Sequence, residues 1–241
     1  MVARCWRCTA SINGNRIRRL KRHGPQAFGS LVMMDETRQP GKQSSLTEEQ
    51  IRNNTIGTLQ PLSGRISIVD YDPCWPQAFH READRIHARL QERALRIEHT
   101  GSTSVPGLAA KPIIDMLLVV RDSANEEAYV PALERVGYVL RIREIDWHQH
   151  RMFKGRDTDI NLHVFSFGCS EIERVLLFRD WLRGNASDRK LYERTKLTLA
   201  DRKWKYVQNY ADAKTEIIQE IIERAKREWN QEISPCSVSH V

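Results

Sequence analysis

The chain has 241 residues, of which 40% are hydrophobic and 29% are charged, a composition typical of globular proteins. This length allows one domain with a substantial core, or at most two small ones. The most apolar stretch, residues 112–120, is interrupted by Asp115 and is too short for a membrane-spanning helix. Collagen-like, low-complexity and integral membrane proteins are therefore excluded, and we expect no membrane partner.

The net charge of +7 comes from one end of the chain. Residues 1–43 hold nine basic and two acidic residues, which leaves 29 of each sign in the remainder. The basic excess therefore says nothing about a nucleic-acid surface on the folded domain, and we do not expect a nucleic acid partner. The same 43 residues lack apolar periodicity, which predicts a disordered tail.

The tail allows two interpretations. An Arg-rich, acid-poor start is typical of an organelle transit peptide, whereas translation could instead begin at Met33 or Met34. We favour the second, because a more ordinary polar leader follows Met34. The five cysteines are scattered and odd in number, which favours a reducing, cytoplasmic location, and Cys5 and Cys8 alone make only half a zinc site.

Residues 44–65 are predicted to be a leader or linker, and residues 66–228 the folded domain. Ile66, Ile68 and Val69 predict a short strand, and apolar residues at spacings of 3 and 4 predict an amphipathic helix over 77–93. We expect strands at 95–99 and 112–120, joined through a turn and a short helical piece.

The second half continues with mixed elements. Ser123 is predicted to cap a helix ending at Gly137, and strands are expected at 138–143, 150–154 and 159–165, the last two as a hairpin. Three C-terminal helices follow, with these signals: a capping box of Ser170 and Glu173, a start near Ser187, and a buried stripe of Ile217, Ile218, Ile221 and Ile222. Residues 229–241 are expected to be a frayed tail. The fold class is therefore α/β (α+β), with a mixed β-sheet and a helical C-terminal part.

The segment from Gly101 to Asp115 is the most informative for chemistry. A strand that ends in Gly101-Ser102 and opens a helical turn directs backbone N–H groups outward, which favours an anion such as phosphate. Thr103 and Ser104 add hydroxyl groups to the same turn. Asp115 interrupts an apolar strand, and because an unpaired buried carboxylate is costly, we expect it to face a metal, a base or a cleft.

Several motifs in this chain resemble the GrpB family, whose fold resembles the nucleotidyltransferase superfamily. They are residues 71–76 (Tyr-Asp-Pro-Cys-Trp-Pro), 97–115 around Gly101-Ser102, 150–155, 162–165 and 178–182. The resemblance implies a nucleotidyltransferase-like mixed sheet flanked by helices. It also implies nucleotide binding, and some GrpB-like domains occur joined to a dephospho-coenzyme A kinase, which suggests a link to coenzyme A metabolism.

One position departs from the superfamily pattern. The superfamily places a second carboxylate two residues after the first, on the same strand face, and here that position is Leu117. Two-metal phosphoryl chemistry needs several oxygens that bridge the ions. The departure therefore argues against ordinary two-magnesium catalysis.

The predicted hairpin could supply other ligands in place of the missing second carboxylate. If Lys154 pairs with Asp159, His150 lies opposite His163, on a polar face shared with Met152 and Asn161. Phe153, Ile160, Leu162 and Val164 then form the opposite, apolar face. Asp115, His163 and His150 could hold a single divalent metal, with Zn or Mn favoured over Mg by the imidazoles. Lys111, Arg151 and Lys154 are predicted phosphate contacts.

Three functions follow from these residues. The first is a metal-assisted transferase that moves a nucleotidyl or phosphoryl group to a small-molecule acceptor, with Asp115, His163 and His150 as catalytic residues. The second, favoured by Leu117, is a noncatalytic module that binds a nucleotide or a coenzyme-A-related ligand. The third, hydrolase or cyclase chemistry on a phosphate ester, would use the same pocket.

Overall fold

The computed structural model describes residues 46–156 and 159–233, and the side chains within these ranges up to residue 230. The basic tail, the Cys5 and Cys8 pair and the alternative starts at Met33 and Met34 lie outside the described residues.

The described part contains seven α-helices. Their bounds are α1 Glu48–Asn54, α2 Trp75–Leu90, α3 Val130–Glu134, α4 Ser170–Gly184, α5 Ala186–Ala200, α6 Val207–Asp212 and α7 Thr215–Ile233. The helical C-terminal part is confirmed, although α6 was not predicted. The helix predicted over 77–93 begins two residues earlier, because Pro76 suits the first turn of a helix.

A five-stranded sheet forms the centre of the domain. Its strands are β1 Arg96–Thr100, β2 Ile114–Val120, β3 Val139–Glu144, β4 His150–Lys154 and β5 Ile160–Ser166. Their order is β1-β2-β5-β4-β3, with β2 and β5 parallel and the other neighbours antiparallel. The predicted α/β class, with a mixed sheet flanked by helices, is therefore confirmed.

One face of the sheet is largely apolar. Phe153, Ile160, Leu162 and Val164 are buried there, as predicted, together with Met116 and Leu118 from β2. Residues of α2 and α3 cover this face, among them Ile86, Leu90 and Leu133, which are fully buried. Alternation along each strand sends the intervening side chains to the opposite face.

The opposite face is divided between apolar and polar residues. Leu117, Val119 and Phe165 pack against Ile172 and Leu176 of α4. Nearer the β1–β2 turn, the same face carries Asp115, Asn161 and His163. This division places a polar region beside a well-packed core on one sheet surface.

The leader predicted over 44–65 contains a helix that packs on the domain. Thr47 and Gln50 form a capping box at the start of α1, and Ile51 is buried. Thr55 bridges to Ile142 on β3. The strand predicted at Ile66, Ile68 and Val69 is wrong, because only Val69 makes a bridge, to Ala110, while Ile66 packs against α5 and α6.

Three predicted helix ends also need correction. Ser123 does not cap a helix, because its hydroxyl donates to the carbonyl of Gln149, and α3 begins only at Val130. Cys169 precedes α4 without a side-chain cap, so the Ser170 capping box is wrong. The last helix continues to Ile233, past residue 229 where we expected a tail to begin.

The hairpin forms with a register two residues away from the predicted one. Lys154 pairs with Asn161 rather than Asp159, and Met152 rather than His150 lies opposite His163. A shift of two residues keeps every side chain on its face, whereas a shift of one would exchange the faces. The predicted faces are therefore correct although the predicted pairs are wrong.

Candidate functional site

Gly101 and Asp115 lie against each other where β1 turns toward β2. Thr100 pairs with Asp115 in the sheet, and Gly101 follows with a φ of +64°. A Cβ atom at position 101 would lie 2.3 Å from Asp115 Oδ2, so the Asp115 side chain would have to move to admit it. Glycine is therefore required both by the backbone conformation and by the approach of the carboxylate.

Asp115 is a partly accessible carboxylate that accepts a hydrogen bond from Asn161 and lies beside His163. Its Oδ1 accepts a hydrogen bond of 2.7 Å from Asn161 Nδ2 and lies 3.9 Å from His163 Nε2, and its side chain keeps 30% of its surface exposed. Burial opposes ionisation, but His163 and Asn161 outweigh it and hold the pKa of Asp115 below its ordinary value. The group is thus a carboxylate at neutral pH.

Two predicted phosphate contacts, Lys111 and Lys154, lie at this site. Lys154 Nζ donates to Asn161 Oδ1 at 2.5 Å, so the Asn161 amide bridges the lysine and Asp115. Both ammonium groups are close enough to Asp115 to interact with it electrostatically. Burial lowers the pKa of both lysines.

Two further lysines at the site were missed by sequence reasoning. Lys196 on α5 is 2% exposed, and its Nζ donates to Ser102 Oγ at 3.0 Å and to the carbonyl of Ala109. Lys214, just before α7, has its Nζ 4.6 Å from the ring centre of Tyr210. Burial lowers the pKa of Lys196 to about 7 and that of Lys214 to about 8.

A sequence signal existed for one of these two lysines. On α5, Tyr192, Lys196, Leu199 and Ala200 are all buried and recur at spacings of 4, 3 and 1. A lysine within the buried stripe of a helix is unusual, because its charge is costly to desolvate unless it serves a site. Lys214 stands between two helices, where no periodicity distinguishes it.

The imidazoles lie beside Asp115 in a row rather than around a common point. His150 Nδ1 lies 2.7 Å from Glu144 Oε2, and His150 Nε2 lies 3.0 Å from His163 Nδ1. Both ring nitrogens of His150 are thus engaged, and the ring does not face Asp115. No group of three His, Cys, Asp or Glu side chains in the described ranges could hold a metal ion, so the predicted ligand set of Asp115, His163 and His150 is not assembled.

Three other predicted contacts have different positions or partners. Arg151 points to the opposite side of β4 and pairs with Glu126, its Nε 2.6 Å from Oε1, so it does not reach the site. Thr103 Oγ1 donates to the carbonyl of Ile113, and Ser104 Oγ donates to that of Gly101. These two hydroxyl groups are buried and tie the turn together.

The turn itself is shorter than the sequence suggested. Only Ser102–Ser104 are helical, as a single 3-10 turn. So short an element has little of the aligned dipole that a longer helix offers an anion. The positive charge at this turn therefore comes from side chains, with Lys196 on Ser102 and Arg183 on the carbonyl of Ser104.

Leu117, at the position of the missing second carboxylate, is part of the core. It is 1% exposed and packs in the cluster beneath α4. A carboxylate there would be buried among Val119, Phe165 and Leu176, and its desolvation would be costly. Helix α4 thus covers the place where a second metal-binding acid would stand.

Comparison with known proteins identifies the family. The family model described as GrpB protein matches residues 65–224. UPF0157 protein BH1888 of Halalkalibacterium halodurans is 62% identical over 179 residues, which cover 74% of this chain and 92% of that protein. The crystal structure of conserved protein GrpB from Enterococcus faecalis aligns with a TM-score of 0.59 and 33% identity over 68% of this chain and 99% of that one. The chain therefore belongs to the GrpB family, as its motifs predicted.

A more distant relative bears an enzyme name. A dephospho-CoA kinase of Mycolicibacterium paratuberculosis is 29% identical over 168 residues, which cover 58% of this chain and 40% of that protein. The similarity thus involves less than half of the named kinase. In the described part of this chain, no helix is both long enough and apolar enough to cross a membrane.

Proposed function

We propose that the site around Asp115 binds the phosphate groups of a nucleotide or a coenzyme-A-related ligand, as a binding module. The observation that supports this most directly is the convergence of four lysines. Lys111, Lys154, Lys196 and Lys214 come from four separate segments, and each interacts electrostatically with Asp115. Such a concentration of ammonium groups suits a polyanion.

The energetics of the lysines support an anionic ligand. Among the described residues, none of the four has a carboxylate oxygen within ion-pair distance, although Asp159, Glu193 and Asp212 contribute to the surrounding field. Burial disfavours their charged forms, and a bound phosphate would compensate for that cost. Binding near pH 7 should therefore be accompanied by proton uptake, chiefly at Lys196, whose pKa is about 7.

A divalent metal does not fit the residues present. Asp115, the carboxylate at the centre of the site, already accepts a hydrogen bond from Asn161, and the charges around it are mostly positive. The second carboxylate is replaced by the buried Leu117. The described residues at this site therefore do not form a metal centre by themselves.

Isothermal titration of the full chain with ATP, coenzyme A and dephospho-coenzyme A tests the proposal. Lys196→Met should weaken binding about tenfold or more, since a hydrogen bond to a charged group contributes about 1.5–3 kcal/mol. Lys190→Met, on the exposed face of the same helix, is the matched control and should bind normally. Binding that is absent for all three ligands, or equal in the two variants, would contradict the proposal.

Transfer of a nucleotidyl or phosphoryl group to a small-molecule acceptor is the second candidate function. The ionised and partly accessible Asp115 beside the Gly101-Ser102 turn favours it. Incubation with each nucleoside triphosphate, a metabolite extract and Mg, Mn or Zn, followed by mass spectrometry, tests for products. New adducts that disappear in Asp115→Asn would establish a transferase, inorganic phosphate alone a hydrolase, and binding without change a module.

A further inference from the structure

A row of four side chains crosses the polar face of the sheet. It runs from Glu144 on β3 through His150 on β4 and His163 on β5 to Asp115 on β2. The successive separations are 2.7 Å from Glu144 Oε2 to His150 Nδ1, 3.0 Å from His150 Nε2 to His163 Nδ1, and 3.9 Å from His163 Nε2 to Asp115 Oδ1. The diagonal pairing of the histidines follows from the hairpin register.

The row has only one consistent proton arrangement when both imidazoles are neutral. An ionised carboxylate only accepts hydrogen bonds, so His150 must donate from Nδ1 to Glu144. Its Nε2 then carries a lone pair and accepts from His163 Nδ1–H. The remaining nitrogen, His163 Nε2, is left without a proton and is directed toward Asp115.

We propose that Glu144, acting through His150, holds His163 in the tautomer whose unprotonated Nε2 serves as a proton acceptor at the phosphate site. The site itself rests on the proposed function. The side chain of His163 is 34% exposed, whereas that of His150 is 5% exposed. A hydroxyl group or water beside the bound ligand could therefore give its proton to His163 but not to His150, and Glu144 and His150 are positioning residues.

The far end of the row is held by α1, which precedes the residues that match the family model. Asn54 Nδ2 donates to Glu144 Oε1 at 3.2 Å, so the two carboxylate oxygens have different partners. The backbone beside this contact is tied to β3 by a hydrogen bond from Ile56 N to the Arg141 carbonyl. Asn54 thus determines which atom of the side chain at position 144 faces His150.

Nitrogen-15 NMR of the ligand-free wild-type protein tests the arrangement directly, at an alkaline pH where both imidazoles are neutral. The shifts and couplings of the two rings should show the proton on Nδ1 and a bare Nε2 for both His150 and His163. A proton on His163 Nε2 would overturn the proposal, whatever ligand the site binds. Because no ligand is present, this result is independent of the titration that tests the proposed function.

Glu144→Gln should reverse the tautomers. Asn54 would still donate to the oxygen of the new amide, so the amide NH₂ would face His150 Nδ1, and the protons of both rings would move to Nε2. The reversal is favoured because His163 Nε2–H would then point at the Asp115 carboxylate. Removing Asn54 in the double variant Asn54→Ala, Glu144→Gln frees the amide to rotate, so its oxygen can again accept from His150 Nδ1–H and the wild-type pattern should return in part.

Glu127→Gln, at an exposed carboxylate outside the row, is the matched control and should leave the pattern unchanged. An unchanged pattern in Glu144→Gln, or a double variant as fully reversed as Glu144→Gln alone, would overturn the roles of Glu144 and Asn54. A purely structural role of these residues would alter stability in the variants without exchanging the protonated nitrogen.

Discussion

The two faces of the central sheet are built from the same strands but differ in composition and in what covers them. The face beneath α2 and α3 is mostly apolar and includes Phe153, which is fully buried. The opposite face is apolar only beneath α4 and polar where Asp115, Asn161 and His163 stand. Strand alternation thus lets one sheet provide a continuous core on one side and a site on the other.

Within the second face, two positions on β2 show how sharp the boundary is. Asp115 and Leu117 point the same way, two residues apart, yet one is an ionised carboxylate beside lysines and the other is packed under a helix. The difference comes from what covers each position, because α4 ends the polar region at Leu117.

Introducing an acid at this boundary should have the largest effect. Leu117→Asp places a charge in this apolar cluster, and we expect the free energy of unfolding to fall by about 4–5 kcal/mol. Leu117→Met, which nearly conserves volume, should cost less than about 1.5 kcal/mol. Urea denaturation of both variants measures the contrast, and similar losses would mean that Leu117 is not in a sealed core.

Phe153→Ala tests the apolar face. Removing a fully buried ring leaves a cavity and should lower the unfolding free energy by about 3–5 kcal/mol. Ligand affinity of the folded fraction should be unchanged, because Phe153 points away from Asp115. Denaturant unfolding measures the loss of stability, and ligand titration below the melting temperature measures the affinity. A loss of affinity that matched the loss of stability would mean that the two faces are energetically coupled.

Gly101→Ala should damage the site more than the fold. The new methyl group would collide with Asp115, in addition to a strained backbone that costs about 1–3 kcal/mol. Gly64→Ala shares the positive φ, but nothing lies within 4 Å of its added Cβ, so it isolates the backbone cost. We expect both variants to lose stability and only Gly101→Ala to lose ligand binding, as measured by thermal melting and calorimetry.

The most gradual effect is a pH dependence at the lysines, because it is spread over several pH units. The pKa of Lys196 is about 7 in the folded protein, below its unfolded value, so the unfolded chain binds more protons between about pH 7 and pH 10.5. Stability of the ligand-free protein should therefore rise with pH in that window, by at most about 1.4 kcal/mol per pH unit for this group. Denaturation of wild type and Lys196→Met across the window measures it, and equal slopes would mean that Lys196 is not desolvated.

Much of the site could be predicted from the sequence because its residues lie on regular strands near the Gly101-Ser102 motif. Gly101, Ser102, Asp115, His163 and Lys154 were predicted from local pattern and family resemblance, and the structure brings them to one region. Arg151 was misplaced because strand alternation puts it on the opposite face from Lys154. Lys196 and Lys214 were missed because they approach the site from helices far along the chain.

The amino-acid sequence by itself determined the family, the α/β class and the faces of the hairpin, because these depend on local periodicity and short motifs. Tertiary structure decided the strand register, the four-lysine cluster and the separation of the histidines from a common metal position. Those features depend on which distant segments come into contact. The free energy of such contacts is distributed over many residues, so no local sequence pattern predicts them.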